Sequence, residues 1–220
     1  MDTDFLFPNL NENKHNEMIP KWPDYKFPWS ILDTKNIDNL NKQIVNFCNS
    51  SDSDISLPTE VDIDFTNGPV FIHHSANISK YIKIEGPCFI GPNTEIRHSS
   101  YLRKGSWICE GAIVGHSSEI KNSVLLPFSK APHFNYVGDS ILGFGVNLGA
   151  GTKLSNVRND KREVRVNIGK NIYVDSGLKK LGAMIGDYSE LGCNVVTNPG
   201  TIILPKTKIN PNSSLTGLIN

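Results

Sequence analysis

Three side chains in the middle of the sequence have the types and spacing for proton transfer beside a bound phosphate. Arg103 and Lys121 are 18 residues apart, and His133 follows 12 residues after Lys121. Two neighbouring cations suit a phosphate dianion, and imidazole can take a proton near neutral pH. The alternatives are a solvated surface pair, whose charge Glu119 offsets, and a buried histidine with a structural role.

A six-residue repeat determines how these side chains would be placed. Every sixth residue from Ile72 to Leu126 is aliphatic, ten in succession. Past His133 the register shifts by one, and the repeat continues at Val137, Leu142, Leu148, Leu154, Ile168 and Val174, and from Ile185 to Leu215. A period of six fits neither an α-helix nor a single strand, and repeats of fixed period indicate a solenoid.

The repeat resembles that of the hexapeptide-repeat proteins, and the resemblance implies an all-β fold, a left-handed parallel β-helix, here with an N-terminal arm and a short α-helix. Each hexad makes one strand and a corner, where Gly or Asn accepts left-handed backbone. Three hexads make an 18-residue coil, so Arg103 and Lys121 stack on one outer face in adjacent coils. The alternative, a β-sandwich with coincidental spacing, is disfavoured by the unbroken run.

The segments that lack the six-residue repeat mark the boundaries of the predicted regions of the chain. Residues 1–57 are predicted as an arm and a capping helix, 58–70 as a linker, and 71–220 as the solenoid. The helix is expected within residues 33–49, capped by Asp33 or Thr34, with an apolar face of Ile37, Leu40, Ile44, Phe47 and Cys48. We expect it to close the N-terminal end of the solenoid, as repeat proteins require; a partner-binding helix is the alternative.

Two aromatic residues and a charged run are the other features outside the repeat. Trp22 and Trp29 lie in the Pro- and Asn-rich arm, where they are expected to pack on another part of the protein. The segment 156–165, NVRNDKREVR, is predicted as a loop extruded from the solenoid. The alternative for this segment is an ordinary solvated loop.

The central segment carries motifs that resemble a known family. Residues 130–139, KAPHFNYVGD, interrupt the aliphatic repeat and contain H-x-x-Y-x-G-D. V-N-L-G-A-G-T follows, with an Asn four residues after its Thr. From Arg103 to Asn156 the sequence resembles the acetyltransferase domain of bifunctional N-acetylglucosamine-1-phosphate uridyltransferase/glucosamine-1-phosphate acetyltransferase, a hexapeptide-repeat acyltransferase. It also resembles short stand-alone proteins named as UDP-N-acetylglucosamine pyrophosphorylase-like.

The resemblance implies a role for each matching residue. His133 matches the general base, and Glu119 a carboxylate near it. Acceptor-sugar residues are matched by Arg103, Lys121, Tyr136, Asn147 and Asn156. Ser176 and Cys193 match positions near the coenzyme A donor, and Lys161 or Arg158 a basic residue that a loop lends to the neighbouring subunit's site.

The resemblance also implies partners. These are acetyl-CoA as co-substrate, an amino-sugar phosphate as acceptor, and a homotrimer with its sites between subunits. His133 is expected on a different face from Lys121, so that a neighbouring subunit brings them together. Two departures bear on the donor site, since Val157 replaces a Tyr and the C-terminal NSSLTGLIN lacks the basic residue that contacts the coenzyme A phosphate.

Composition excludes several other functions. The 22 basic and 22 acidic residues cancel, which argues against a nucleic-acid-binding protein. No run approaches 18 apolar residues and no secretory leader is visible, so we expect a cytoplasmic protein without a membrane partner. The four cysteines lack metal-ligand spacing, and no metal site is predicted.

Three functions are compatible with these patterns. The first is an acetyl-CoA-dependent N-acyltransferase that acts on an amino-sugar phosphate such as glucosamine-1-phosphate. The second is a non-catalytic trimer that binds a sugar phosphate or nucleotide sugar. The third is a sugar nucleotidyltransferase that relies on a separate catalytic chain, because the first 70 residues show no glycine-rich nucleotide loop.

Overall fold

Short parallel strands wound into a left-handed β-helix make up most of the structure. The computed structural model describes residues 2–13, 16–23, 25–51, 57–170 and 172–220. The helices are α1 (Thr3–Leu6), α2 (Asn9–Glu12), a 3-10 helix (Pro28–Leu32) and α3 (Leu40–Ser50). The strands along the described residues are β1 (Asp62–Asp64), β2 (Val70–Ile72), β3 (Asn77–Ile78), β4 (Lys83–Glu85), β5 (Cys88–Ile90), β6 (Glu95–Ile96), β7 (Tyr101–Leu102), β8 (Ser106–Ile108), β9 (Ile113–His116), β10 (Glu119–Lys121), β11 (Ser123–Leu125), β12 (Lys130–His133), β13 (Tyr136–Gly138), β14 (Ile141–Leu142), β15 (Asn147–Leu148), β16 (Lys153–Leu154), β17 (Arg165–Asn167), β18 (Tyr173–Asp175), β19 (Ala183–Ile185), β20 (Glu190–Leu191), β21 (Val196–Thr197), β22 (Thr201–Ile203), β23 (Lys208–Ile209), β24 (Ser214–Leu215) and β25 (Leu218–Ile219).

Three parallel sheets form the sides of the solenoid, which confirms the predicted fold. Sheet A has the order β1-β4-β7-β10-β13-β16-β21-β24. Sheet B has the order β2-β5-β8-β11-β14-β19-β22-β25, and sheet C runs β23-β20-β15-β12-β9-β6-β3. Because each coil adds one strand to each sheet, residues about one coil apart become neighbours on the same face.

One aliphatic side chain per strand points inward and builds the core. In sheet A these are Ile84, Leu102, Ile120, Val137 and Leu154, all fully buried and part of one apolar cluster. Each buried aliphatic side chain stabilises the fold by about 1.5–3 kcal/mol. This ladder explains why the six-residue period is so regular.

The structure places the register shift earlier than the sequence predicts. Leu125, and not Leu126, pairs with Ile108 and points into the core, while Leu126 belongs to the apolar cluster outside sheet B. The five-residue step from Ile120 to Leu125 passes through Asn122, whose φ is 44°. Residues 130–139 therefore do not interrupt the solenoid, since they form β12 and β13 within it.

The described helices of the N-terminal arm lie against the outside of sheet B and not across the end of the solenoid. Helix α3 contacts β2 and β5, and the Phe47 ring meets the rings of Phe71 and Phe89 edge-on at 4.9 Å each. The indole N–H of Trp107 donates to the carbonyl of Met18 at 3.0 Å. The predicted capping role is wrong because each strand of sheet B turns a large apolar side chain outward, and the helix buries that row.

The boundaries of the helix also differ from the prediction. Asn39, and not Asp33 or Thr34, is the N-cap, since its side chain accepts the Lys42 N–H. Ile37 precedes the helix and is 78% exposed. Trp29 is buried and stacks on Phe27 with 4.5 Å between ring centroids, which confirms that it packs against other residues.

The arm reaches far along sheet B. The backbone N–H of Asn9 donates to Asp187 Oδ2 at 3.1 Å, and the N–H of Asp187 donates to the carbonyl of Leu6 at 3.2 Å. In the described residues, sheet B is thus the side of the solenoid that the arm covers. No described helix has the length and apolar character needed to cross a membrane.

Two segments outside the regular coils differ from the predicted boundaries. Strand β1, which pairs with β4, lies inside the predicted linker 58–70. The extruded segment begins near Asn156 but continues beyond Arg165, because the solenoid resumes only at β19, which pairs with β14. Ile168 and Val174 therefore belong to this excursion, where β17 and β18 pair in an antiparallel hairpin.

Candidate functional site

Two rows of polar side chains run along the outside of sheet A. In one row Tyr101, Glu119 and Tyr136 are register partners in successive strands. In the other row Arg103 precedes Lys121 by one coil, and Lys121 pairs with Gly138. The predicted stacking of Arg103 and Lys121 on one outer face is confirmed.

Carboxylates hold Arg103 in place. Its Nη1 donates to Glu119 Oε1 at 2.9 Å, and its Nε lies 3.9 Å from Glu85 Oε2. Tyr101 donates its phenolic hydrogen to Glu85, and its ring lies 5.7 Å from the guanidinium carbon. The bond to Glu119 raises the pKa of Arg103 further. The guanidinium is thus a fixed cation with remaining N–H groups available to a ligand.

Asp139 is the centre of the neighbouring hydrogen-bond network. The residue is 4% exposed. Its Oδ2 accepts from Lys121 Nζ at 3.2 Å and from Asn156 Nδ2 at 2.5 Å, and its Oδ1 accepts from Asn122 Nδ2 at 2.9 Å. Lys121, Asp139 and Asn156 come from three successive coils. The network therefore holds the Lys121 ammonium and the Asn156 amide beside the same carboxylate even when no ligand is bound.

Gly138 brings Tyr136 and Asn156 together above the sheet. A Cβ at this position would lie 2.6 Å from the Tyr136 hydroxyl and 2.8 Å from Asn156 Nδ2. Asn156 Nδ2 donates to that hydroxyl at 3.2 Å, which leaves the phenolic hydrogen free to donate elsewhere. Burial, followed by the charges of Glu119 and Asp139, raises the pKa of Tyr136. Tyr136 is therefore a neutral donor at neutral pH.

His133 lies at the corner between sheets C and A. It ends β12, and Phe134 after it has a φ of 38°. The same corner in other coils also uses left-handed backbone, at Tyr81, Ser99, Ser117, Gly151, Asn194 and Asn212. Not only Gly and Asn but also Ser and aromatic residues thus make these corners. In three successive coils the turn exposes the residue before the left-handed position, which is His98, His116 or His133.

The backbone beside His133 is held firmly while its ring faces solvent. Asn135 Oδ1 accepts the His133 N–H at 3.0 Å, and Asn135 Nδ2 donates to the Gly149 carbonyl at 2.8 Å. Asn135 is buried and His133 is exposed. A group presented in this way can meet a substrate without first breaking an internal bond.

The structure agrees with the expectation that His133 and Lys121 belong to different faces. His133 ends β12 of sheet C, whereas Lys121 ends β10 of sheet A. That a neighbouring subunit brings the two together stays a prediction. Within one chain, hydrogen bonds bring Arg103 to Glu119, and Lys121, Asn156 and Tyr136 together around Asp139 and its neighbours, while His133 lies at the corner where sheet A begins.

Three further predicted residues lie apart from this group. Asn147 is exposed on the outer face of sheet C, between Lys130 and Glu190. Ser176 is on the excursion, where its hydroxyl accepts the Leu178 N–H at 3.1 Å. Cys193 is exposed on the same corner as His133, two coils further on, which is roughly 10 Å at the usual strand spacing.

The sequence reasoning did not single out the residues that position the site. Asp139 and Gly138 belong to the quoted H-x-x-Y-x-G-D motif, but only the structure shows that they position the site residues. One-coil spacing from Lys121 to Asp139 and from Asp139 to Asn156 was a usable signal. Glu85 carries a similar signal, since it lies one coil before Arg103. Across the described residues, no group of three or more His, Cys, Asp or Glu has metal-binding geometry.

Comparison with known proteins identifies the family. A family profile described as the GMPPB C-terminal domain matches residues 84–219. The chain is 38% identical over 210 residues to a bifunctional sugar-1-phosphate nucleotidylyltransferase/acetyltransferase of Sulfurisphaera tokodaii, covering 86% of this chain and 45% of that protein. It is 36% identical over 197 residues to the bifunctional protein GlmU of Methanococcus maripaludis strain C5, covering 89% and 45% respectively.

A shorter relative matches over most of its own length. The putative uncharacterized acetyltransferase YaiX of Escherichia coli strain K12 is 33% identical over 174 residues, covering 78% of this chain and 75% of that protein. By contrast, the chain spans about half the length of the two bifunctional relatives. These matches bear out the resemblance to hexapeptide-repeat acyltransferases.

Proposed function

This chain belongs to the GMPPB C-terminal domain family, and from that premise we propose that it transfers an acetyl group from acetyl-CoA to the amine of an amino-sugar phosphate. The observation that carries the proposal is the exposed imidazole of His133 at the edge of the face that holds Arg103 and Lys121. A candidate general base thus lies at the corner of the sheet whose outer face carries two fixed cations. The acceptor would be a sugar such as glucosamine-1-phosphate.

The cations and neutral donors of sheet A would bind the acceptor. Arg103 and Lys121 contact the phosphate with the N–H groups that Glu119 and Asp139 leave free. The phenolic hydrogen of Tyr136 and the amide of Asn156 bind sugar oxygens. Because internal carboxylates already hold both cations, little side-chain freedom is lost when the phosphate arrives.

His133 would act as the general base. The sugar nitrogen attacks the thioester carbonyl carbon, and the imidazole takes a proton from that nitrogen. When the tetrahedral intermediate collapses, the carbon–sulfur bond breaks and the imidazolium returns the proton to the departing sulfur. Glu119 acts nearby by holding Arg103. A corner backbone N–H would stabilise the oxyanion.

A homotrimer would complete the site. The arm covers sheet B, while sheets A and C meet at the corner that carries His133. In a trimer, sheet A of one subunit would face sheet C of the next, so that Asn147 and Cys193 of one chain approach the acceptor face of another. A single chain does not define where acetyl-CoA binds. The cleft between subunits would provide that place.

Thiol release tests the activity. The full chain is incubated with acetyl-CoA and glucosamine-1-phosphate, and the free thiol of coenzyme A is followed. We expect release that depends on both substrates and produces the N-acetylated sugar phosphate. Absence of acceptor-dependent release across a panel of amino-sugar phosphates would contradict the proposal.

A sugar-phosphate-binding trimer without transferase activity is the second candidate. It is favoured because the predicted acceptor residues cluster in one chain, whereas the predicted donor residues do not. Ser176 lies on the excursion, and Cys193 lies two coils away from His133. Calorimetry separates the two functions. Binding of glucosamine-1-phosphate without binding of acetyl-CoA would favour this candidate, and binding of both would favour the transferase.

A further inference from the structure

Three residues with left-handed backbone stack at the corner between sheets A and B. They are Gly105, Asn122 and Asp139, whose φ angles are 77°, 44° and 48°. They belong to successive coils, since the N–H of Asn122 donates to the Lys104 carbonyl and the N–H of Asp139 donates to the Lys121 carbonyl. Polar side chains at this corner can therefore bond from one coil to the next.

The side-chain amide of Asn122 connects helix α3 of the arm to Asp139. Asn41 Nδ2 donates to Asn122 Oδ1 at 3.4 Å, and Asn122 Nδ2 donates to Asp139 Oδ1 at 2.9 Å. The two bonds use both ends of one amide, which accepts at oxygen and donates at nitrogen. Because Asp139 Oδ2 accepts from Lys121 and Asn156, a continuous chain of side-chain hydrogen bonds runs from the arm to two of the proposed acceptor-binding residues.

Gly105 leaves the space in which the helix meets this corner. A Cβ at Gly105 would lie 2.8 Å from Asn122 Oδ1 and 3.1 Å from Asn41 Oδ1. The corners of the next two coils carry the side chains of Asn122 and Asp139 at the equivalent position. The absence of a side chain from this one coil therefore admits the Asn41 amide to the corner.

The helix presents Asn41 from a fixed backbone. The residue before the helix, Asn39, is 3% exposed, and its side chain accepts the Lys42 N–H at 3.2 Å. Leu40 and Ile44 are fully buried in the apolar cluster outside sheet B. Asn41 thus loses little further freedom when it bonds to Asn122, and it can impose an orientation on that amide.

The surroundings strengthen these hydrogen bonds. Asn41 and Asn122 are half-buried, and Asp139 is 4% exposed. Away from bulk water, hydrogen bonds in a chain polarise one another, so the loss of one member is felt at the others. Without Asn41, the Asn122 amide can turn, and Asp139 Oδ1 then loses a partner of fixed direction.

We propose that Asn41 is a positioning residue of the acceptor face, so that the arm takes part in substrate binding as well as covering sheet B. Through Asn122 it fixes the orientation of the Asp139 carboxylate, which in turn directs Lys121 Nζ and Asn156 Nδ2. The consequence for substrate binding rests on the proposed function, whereas the coupling itself can be tested without turnover.

Nuclear magnetic resonance of the full chain tests the coupling directly. The readout is the side-chain amide signal of Asn156, which is assigned by its loss in Asn156→Ala. We expect Asn41→Ala to shift this signal by more than its line width. The matched control, Asn46→Ala, replaces an exposed asparagine further along the same helix and should leave the signal in place. An unshifted signal in Asn41→Ala, or equal shifts in both variants, would overturn the proposal.

A double-mutant cycle shows whether Asn41 acts through Asn122. Asn122→Gly removes the intermediate amide and accepts the φ of 44°. Asn41→Ala should cause no additional shift of the Asn156 signal in this background, because the connection is already broken. An additional shift as large as the one in the otherwise wild-type chain would contradict the proposed route.

Kinetics connect the coupling to substrate binding. In the thiol-release assay, Asn41→Ala should raise KM for glucosamine-1-phosphate about fivefold and leave kcat within about twofold, because the misdirected groups bind the acceptor in the ground state and the transition state alike. A merely structural role would lower kcat through loss of active protein and leave KM unchanged, which would refute the proposal. A shifted Asn156 signal in a chain without turnover would refute the transferase function and support the coupling.

Discussion

At the scale of single residues, the acceptor face is built from cations that are already paired. Glu119 holds Arg103, and Asp139 holds Lys121. Asp139 is the more critical of the two carboxylates because it also orders Asn122 and Asn156 and is almost fully buried. The face therefore depends on a carboxylate that need not touch a substrate itself.

Replacement of Asp139 tests this role. Asp139→Asn keeps the size of the side chain but removes the charge opposite Lys121, whose side chain is 14% exposed. Breaking a buried pair leaves one charge uncompensated, so we expect the free energy of unfolding to fall by about 3 kcal/mol. Urea denaturation measures this change. The control is Asp160→Asn at the surface pair with Arg158, which should leave the midpoint unchanged; equal midpoints for both variants would refute the assigned role.

At the scale of elements, strand register and corner conformation place the site. Neighbouring strands align Tyr101, Glu119 and Tyr136 in one row, and the left-handed residue at each corner presents the residue before it. The strand spacing of about 4.8 Å therefore sets the distances between functional groups.

Two glycines allow a matched test of this positioning. At Gly138 the three atoms nearest to an added Cβ are at the ends of the Tyr136 and Asn156 side chains, whereas at Gly115 a Cβ would lie 1.6 Å from the Pro132 carbonyl oxygen. Gly138→Ala should thus keep the fold but reduce kcat/KM at least about tenfold by displacing both side chains. Gly115→Ala should instead lower the melting temperature sharply. Circular dichroism with thiol-release kinetics distinguishes these outcomes, and full activity in Gly138→Ala contradicts the account.

The contact between the arm and Asp187 should make stability depend on pH. Burial raises the pKa of Asp187 from its ordinary value of 3.8 to about 6, although the N–H groups of Asn9 and Phe144 oppose this shift. A raised folded-state pKa stabilises the fold fully below about pH 4, and this stabilisation is lost as the pH rises through 6. At 1.36 kcal/mol per pKa unit, the change is on the order of 3 kcal/mol.

Denaturation across pH isolates this contribution. Between pH 4 and 7, the free energy of unfolding of the wild type should fall relative to that of Asp187→Asn. The difference between the two proteins, and not either curve alone, is the readout, since other carboxyls also titrate. A difference that stays constant with pH contradicts the shifted pKa.

An element can be predicted from the sequence when a single physical rule determines its position. The six-residue period follows from one inward side chain per strand, so the coils and the stacking of Arg103 on Lys121 could be predicted. The place of α3 could not, because an amphipathic helix specifies an apolar partner but not which one. Ile168 and Val174 were misassigned because aliphatic residues in a hairpin can fit the same period by coincidence.

At the scale of the whole molecule, the arm decides which faces remain open. It buries the outward row of sheet B that includes Phe71, Phe89 and Trp107. Sheets A and C meet at His133 and are the faces through which the proposed trimer would form. The neutral total charge conceals a net charge of +4 in the excursion, where residues 156–182 contain seven basic and three acidic residues.

Light scattering tests the proposed assembly. We expect a particle with three times the chain mass of 24.4 kDa, because each open face would find its complement in a neighbour. Lys130→Glu on the outer face of sheet C should weaken the assembly if this face is buried in it, whereas Lys26→Glu in the arm should not. A monomer at all concentrations would contradict the shared cleft.

The most direct measurement of the central claim compares two histidines on the same corner. Thiol release from acetyl-CoA with glucosamine-1-phosphate is measured for His133→Ala and for His98→Ala, which lies two coils earlier. We predict that His133→Ala lowers kcat about 10²- to 10⁴-fold, the usual contribution of a general base, while His98→Ala keeps wild-type activity. Wild-type activity in His133→Ala, or an equal loss in both variants, would contradict the account.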